Sequence, residues 1–318
     1  MGRPGYPRDM RDFRQRFATD HACREYLVEC RWPEGFVCPR CSRKDAWLNV
    51  TRYVFECQGC RRQTSPTTGT IMHRSHLPLQ EWFWAAYLVA THTPGISALQ
   101  LQRQLGIGGY QHAWHLLHRL RKGMVNDNRR QLSGLVEVDE TFIGGPVKGK
   151  KGRGVVSSQR KSLVVGAVEV LVSYDKNRKR KERAGRLRLA VLTDASEDRL
   201  GAFLTRSIQA GSRVRTDGWR GYSGAALSDY HHHVRVVGSP HRAHKRFPHI
   251  HRVFGNLQTW LNGTYHGVAP KHLSSYLNEF VFRFNRRKSP MAAFQTLLGI
   301  SSQKAPLMLR ELMEPESK

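Results

Sequence analysis

The sequence is short of negative charge: its 318 residues hold 25 Asp and Glu against 52 Lys and Arg, a formal charge of +27. Apolar runs are short too, none approaching the roughly 18 residues that a membrane span needs. The opening stretch, MGRPGYPRDMRDFRQRF, is basic but has no apolar segment of the signal-peptide kind, so a cytosolic protein is expected. Self-repulsion at this charge costs stability unless a polyanion neutralises it. Nucleic acid does so through phosphate contacts and counterion release. The cationic residues are spread along the chain rather than gathered on one amphipathic helix, which disfavours a membrane surface as the partner. With 39% hydrophobic residues there is ample material for a core, and no internal repeat is visible.

Only six cysteines are present, and four form two close pairs, Cys38-Pro-Arg-Cys41 and Cys57-Gln-Gly-Cys60, with 15 residues between them. Without a secretory signal this pattern points to a metal before disulfides. Two such knuckles suit a tetrahedral four-cysteine structural zinc site, with AWLNVTRYVFEC between them supplying the strands. Gly59 is expected to permit the turn after Cys57. Cys23 and Cys30 fall outside the spacing and are expected to be buried or inert thiols.

Composition divides the chain into a zinc ribbon over 17–64, a helical segment over 66–128, an α/β domain over 132–290 and a C-terminal tail over 291–318. In the helical segment Ser97 can cap a helix that stops at Gly106, and Gly108-Gly109 precede a second helix to about Arg121. Two helices joined by a short glycine-containing turn resemble a helix-turn-helix, whose second helix would present Gln111, His112, His115 and Arg119 to DNA. A plain packed helical pair gives the same pattern. The third zone reads as three strands, a helix, two strands and a helix from about Phe247 to Leu261, an α/β layered domain. KGKKGRG and DKNRKRKERAG look like loops interrupting it. The histidines at 231–233, 241, 244 and 249 read as a DNA-facing basic strip.

Cutting and joining phosphodiesters is well served by hard cations held by oxygen ligands, so acids at strand ends are the residues to seek. Asp139, Asp194 and Asp217 qualify. Alternation puts Glu137, Asp139 and Thr141 on one strand face, opposite Val136, Val138 and Glu140. Asp217 ends a strand and precedes Gly218-Trp219-Arg220-Gly221-Tyr222. Asp194 precedes Ala195-Ser196-Glu197, an arrangement assigned to helix capping.

VDETFIGG, TDGWRGY and HIHRVFGNLQTWLNGTYHGVAPKHLSSYLNEFVFRFNRR resemble the catalytic segments of bacterial insertion-sequence transposases. The family pairs an N-terminal zinc ribbon with a DDE-type, ribonuclease-H-like core, and many members replace the final Glu with Asn or His. The resemblance spans roughly residues 17–290. It implies a ribonuclease-H-like fold, Asp139 and Asp217 as ligands for Mg²⁺ or Mn²⁺, DNA ends and target DNA as partners, and a homo-oligomer on DNA associated with the nucleoid. No acid lies between Asp229 and Glu279, so the third position falls to His251 or Asn256. On a helical wheel Ile250, Phe254, Leu257 and Leu261 form the buried stripe, with His251 and Gln258 on one flank and Asn256 on the other. The family resemblance pairs its third residue with a Lys seven positions later. Gln258 holds that place here, which favours His251 while departing from the Lys. Arg283, Arg286 and Arg287 are expected on phosphates. A decayed, DNA-binding regulator and a structure-specific nuclease without strand transfer are the alternatives.

Overall fold

The computed structural model describes residues 4–144, 161–222, 227–235 and 247–313. They fall into two compact units, one formed by 1–126 with 286–318 and the other by 127–285. No described helix is long and apolar enough to cross a membrane.

In the first unit, helices α1 (Met10–Arg16) and α2 (Asp20–Arg31) lead into a three-stranded antiparallel ribbon, β1 (Ala46–Asn49), β2 (Val54–Cys57) and β3 (Gln63–Thr64). Helices α3 (Leu79–Thr91), α4 (Ala98–Leu105) and α5 (Tyr110–Gly123) follow. The α4–α5 pair starts and stops where the local sequence says it should. The Ser97 hydroxyl accepts from the Gln100 amide, Gly106 closes α4 at φ +66°, and α5 begins after Gly109. The stretch expected as a tail holds α9 (Pro290–Ser301) and α10 (Leu309–Met313). Phe294 of α9 is fully buried in an aromatic cluster with Phe13, Phe17, Tyr26, Phe83 and Tyr87.

The second unit is built on a five-stranded mixed sheet in the order β6-β5-β4-β7-β8. Strands β4 (Leu135–Ile143), β5 (Ser162–Tyr174) and β6 (Arg180–Leu192) run antiparallel. Then β7 (Arg213–Thr216) and β8 (His231–Val234) add parallel to β4. Alternation along β4 sorts the two layers. Val136 and Val138 pack with Val165, Ala167 and Val214 under α6 (Glu197–Ser207), which buries Leu200, Phe203 and Leu204. On the other face Ile143, Val164 and Leu189 pack under α7 (Pro248–Tyr265) and α8 (Leu273–Asn285) through Ile250, Phe254, Leu257 and Leu277. This is the layered α/β, ribonuclease-H-like architecture. The basic stretch DKNRKRKERAG is only partly a loop: residues 175–179 turn, and Arg180 onward belongs to β6, paired Tyr174↔Arg180 and Val172↔Glu182. Hairpin pairing with β5 overrides the charge run, whose side chains are mostly solvated. KGKKGRG lies outside the described residues.

One glycine decides how closely α7 approaches. Gly166 sits beside Asp139 in the sheet, and a Cβ there would stand 2.8 Å from Ile250 Cδ1 and 2.9 Å from the Phe254 ring. Gly166→Val is therefore expected to lower stability by about 1–3 kcal/mol through overpacking. Thermal denaturation of the variant checks the effect.

Candidate active site and zinc centre

The ribbon brings all four paired cysteines together, with their sulfurs within 4.8 Å of one another. Cys38 and Cys60 sulfurs are 3.6 Å apart, and those of Cys41 and Cys57 3.5 Å. Zinc–sulfur bonds of about 2.3 Å give a tetrahedron edge of about 3.8 Å, so the donor set fits zinc. The two knuckles share a geometry. Ser42 and Arg61, each following the second cysteine of its pair, take φ +60°, and their amides donate to Cys38 and Cys57 carbonyls. The left-handed residue is thus Arg61 and not Gly59; Gly59 instead leaves room for the Arg43 side chain, which a Cβ would meet at 2.4 Å. Phe36 stacks on Phe55 at 5.0 Å beside buried Cys38 and Cys57, a core too small to hold the ribbon alone. Cys23 is buried, and desolvation pushes its thiol up to about 12; Cys30 is half-buried.

In the second unit, β4 and β7 run in parallel register, Leu135↔Arg213 and Glu137↔Arg215. Two residues further along, Asp139 and Asp217 come side by side at the strand ends. Asp217 also accepts from the Trp219 amide at 3.0 Å, a turn that Gly218 closes at φ +85°. His251 Nε2 stands 3.3 Å from Asp139 Oδ2. Two ligands at about 2.1 Å on one octahedral cation lie about 3.0 Å apart, so this spacing fits a shared ion. Asn256 and Gln258 are both exposed, so of the two candidates for the third position the helix turns His251 toward Asp139.

Burial pushes the Asp139 carboxyl up to about 7, and the nearby charges of Asp217 and Glu137 push it in the same direction. Glu140, on the opposite face of β4, joins the cluster at the strand end. Burial raises it to about 8, Asp139 and Asp217 adding to the rise. The Tyr222 hydroxyl donates to Glu140, and burial holds that phenol well above its ordinary value. Glu140 and Tyr222 escaped sequence reasoning because strict alternation removes Glu140 from the face of Asp139.

Glu137 has a role that the sequence did not reveal. Its Oε2 accepts from the His249 and Ile250 amides at 3.0 Å each. It thereby supplies from the sheet the cap that Phe247, at the start of α7, cannot. Glu137, Glu182 and His249 offer ligand atoms within 4.8 Å of one another, a second donor set suited to a divalent cation. Arg215 lies beside both carboxylates, 3.8 Å from Glu137 and 3.7 Å from Glu182. His249 is buried here, 3.6 Å from Glu182, so it does not belong to a DNA-facing strip: the helix start turns it into the sheet. His231 and His233 are exposed on β8, and His241 and His244 lie outside the described residues. Asp194 is exposed and its carboxylate accepts from the Ser196 amide at the start of α6.

Residues 131–285 match the ISXO2-like transposase domain, and residues 18–63 match the transposase zinc-ribbon domain. The chain belongs to the zinc-ribbon, DDE-type transposase family. A relative in Halobacterium salinarum, described as an uncharacterized protein in transposable element ISH50, is 24% identical over 295 residues. The match spans 89% of this chain and 97% of the relative. The transposase domain thus coincides with the mixed sheet and the carboxylate cluster, and the zinc-ribbon domain with the four-cysteine site.

Among the other expected site residues of this transposase, Gln111 and His112 are exposed at the start of α5, and His115 is half-buried, its Nε2 3.0 Å from the Leu307 carbonyl. Arg119 is not exposed. It lies with Leu116 and Leu120 on the packed side of the helix, donates to the His73 carbonyl at 2.6 Å and stands over the Trp82 ring. Arg119→Ala is expected to cost about 1–3 kcal/mol of stability by orphaning that carbonyl, measurable by chemical denaturation; Gln111→Ala should leave the midpoint unchanged. Arg283 is drawn back toward Glu279, 3.6 Å away, and over Trp260, while Arg286 is half-buried and Arg287 exposed.

Proposed function

We propose that this transposase binds the ends of its insertion sequence and catalyses metal-dependent strand cleavage and strand transfer, as a homo-oligomer on DNA. The observation that carries the reading is the convergence of Asp139, Asp217 and His251 at the open ends of two parallel strands. Asp139 and Asp217 are the residues to hold Mg²⁺ or Mn²⁺, with His251 as a nitrogen donor that favours Mn²⁺. A bound divalent cation supplies charge stabilisation and nucleophile activation for in-line displacement. Asp139, raised to about 7 in the metal-free protein, would hold a cation as the carboxylate, so its proton would be released on binding. Glu140, held by Tyr222, keeps a second proton-carrying group at the edge of the cluster.

Water first attacks the phosphorus at the element end and releases the element's 3′-hydroxyl. That hydroxyl then attacks a target phosphorus, displacing the target's own 3′-oxygen, which leaves with the proton. The exposed start of α5, with Gln111, and Arg287 supply contacts for DNA. The ribbon holds zinc structurally and orders the surface that recognises the ends.

Purified full-length protein incubated with element-end DNA, a target plasmid and Mn²⁺ should give joined products at the cleaved 3′ end. Cleavage without joining would reduce the reading to a nuclease. Specific end binding with neither product in Mg²⁺ or Mn²⁺ would leave only the regulator.

A further inference from the structure

Beyond the carboxylates, the same face of the sheet carries an unassigned cationic cavity. About 200 Å³ in volume, it is lined by Arg180, Arg213, Arg215, Arg235 and His233 over Leu135 and Val172. The β-bulge between Val168 and Val170 irregularly shifts the long β5–β6 hairpin, and that hairpin contributes Arg180 and Val172 to the wall. Register contributes the rest. Leu135 pairs with Arg213, Arg213 with His231, and Arg215 with His233, so alternate residues of three neighbouring strands point to one side. That side is the one occupied by Asp139 and Asp217.

The charge in the cavity is only partly met. Glu182 takes Arg180 at 2.5 Å and lies 3.7 Å from Arg215, and Glu137 lies 3.8 Å from Arg215. Arg213 and Arg235 are exposed and have no acidic partner among the described residues. Arg215 shares the lining with them, so three guanidiniums are held together against their mutual repulsion. Like charges held together at such a cost call for an anion, and guanidinium forks match the oxygens of a phosphate.

We propose that this cavity is a phosphodiester subsite that grips the backbone of the strand being cut, upstream or downstream of the scissile phosphate. Leu135 and Asp139 are four residues apart on one strand, about 13 Å at roughly 3.3 Å per residue. A nucleic-acid strand advances about 3.4 Å of axis per phosphate. The gripped phosphate therefore lies no more than about four nucleotides from the one at Asp139. Its role is to fix the strand's register on the sheet, so that one phosphate and not its neighbour meets the carboxylates. The assignment rests on the transposase reading, because it takes DNA as the ligand.

The test uses full-length protein and fluorescein-labelled duplexes of the element end. Each duplex carries a single neutral methylphosphonate linkage, scanned through the phosphates flanking the cleaved bond. Wild-type protein should lose roughly tenfold in affinity at one position within about four nucleotides of that bond, an amount in keeping with one charge-assisted contact. Arg213→Ala/Arg235→Ala should bind the unmodified duplex at least roughly tenfold more weakly and show no extra loss at that position. Its log affinity should also fall less steeply with log salt, by about two in slope. Arg213→Lys/Arg235→Lys, which keeps both charges, should restore the slope, separating charge loss from misfolding. A double Ala variant with unchanged affinity and slope overturns the subsite, and so does one that weakens yet still senses the same linkage. Wild-type protein that shows the positional effect but never cuts DNA in Mg²⁺ or Mn²⁺ would defeat the catalytic reading and leave the subsite standing.

Discussion

Asp139→Asn and Asp217→Asn are each expected to lower strand cleavage at least about a thousandfold, since each removes a proposed ligand of the reacting ion. They should do so while leaving the metal-free protein more stable, and this pairing distinguishes a ligand from a structural acid. In the metal-free protein Asp139 is raised from 3.8 to about 7 and Glu140 from 4.5 to about 8. For groups raised on folding, the stabilising contribution is complete below their unfolded values. It is lost as pH rises through the folded ones. Stability of the metal-free transposase domain should thus decline from about pH 4 to about pH 8 as the clustered carboxyls are forced to ionise. Asparagine cannot ionise, so Asp139→Asn should gain on the order of 2 kcal/mol at pH 8, a rise of several degrees in the unfolding midpoint. Scanning calorimetry at pH 6 and pH 8, beside a gel assay of cleavage, reads both effects. Lower stability at pH 8 together with lost cleavage would mark Asp139 as a structural group.

Cys57→Ser carries the second large effect. Cys57 is fully buried, with its sulfur 3.5 Å from Cys41, and Phe36, Phe55 and Trp32 pack around the knuckles. The apolar material is too little to fold the ribbon unaided, so zinc binding and ribbon folding are one event, worth on the order of 10 kcal/mol in comparable metal-folded modules. The variant should lose its zinc, about one ion per chain, and its specific binding of element ends by a hundredfold or more. Atomic absorption and a mobility-shift assay read the two losses. The mixed sheet lies in the other compact unit, so its strand content should survive, with near-native circular dichroism in the β region. Retained end binding by a zinc-free protein would separate the ribbon from DNA recognition.

Local rules carried much of this architecture. Spacing alone marked the four cysteines, Ser97 and Gly106 marked the ends of α4, and the stripe of Ile250, Phe254, Leu257 and Leu261 marked the buried face of α7. That same wheel set His251 apart from Asn256, and the structure turns His251 to Asp139. What stayed illegible depends on partners distant in sequence. Arg119 looks exposed until the His73 carbonyl, 46 residues earlier, is found to need it. Glu137 is only another acid on the Asp139 face of the strand until α7, more than a hundred residues later, presents two amides to it. Glu140 lies on the wrong face by alternation and enters the cluster only because Tyr222 follows the Gly218 turn. The charge run 175–185 reads as a loop because solvation dominates its composition, whereas ladder pairing with β5 decides its backbone.

Asp139, Asp217 and His251, and not the neighbouring Glu137, Glu182 and His249, are the residues proposed to hold the reacting cation. Calorimetric titration of the zinc-loaded full-length protein with Mn²⁺ tests this assignment most directly, run at pH 6 and pH 8 in buffers of different ionisation enthalpy. Binding should tighten with pH and release protons at pH 6. Asp139→Asn and Asp217→Asn should each weaken binding by a factor of about a hundred, and Glu182→Gln should leave it unchanged. Mn²⁺ binding that survives both aspartate substitutions and disappears with Glu182→Gln would contradict the assignment.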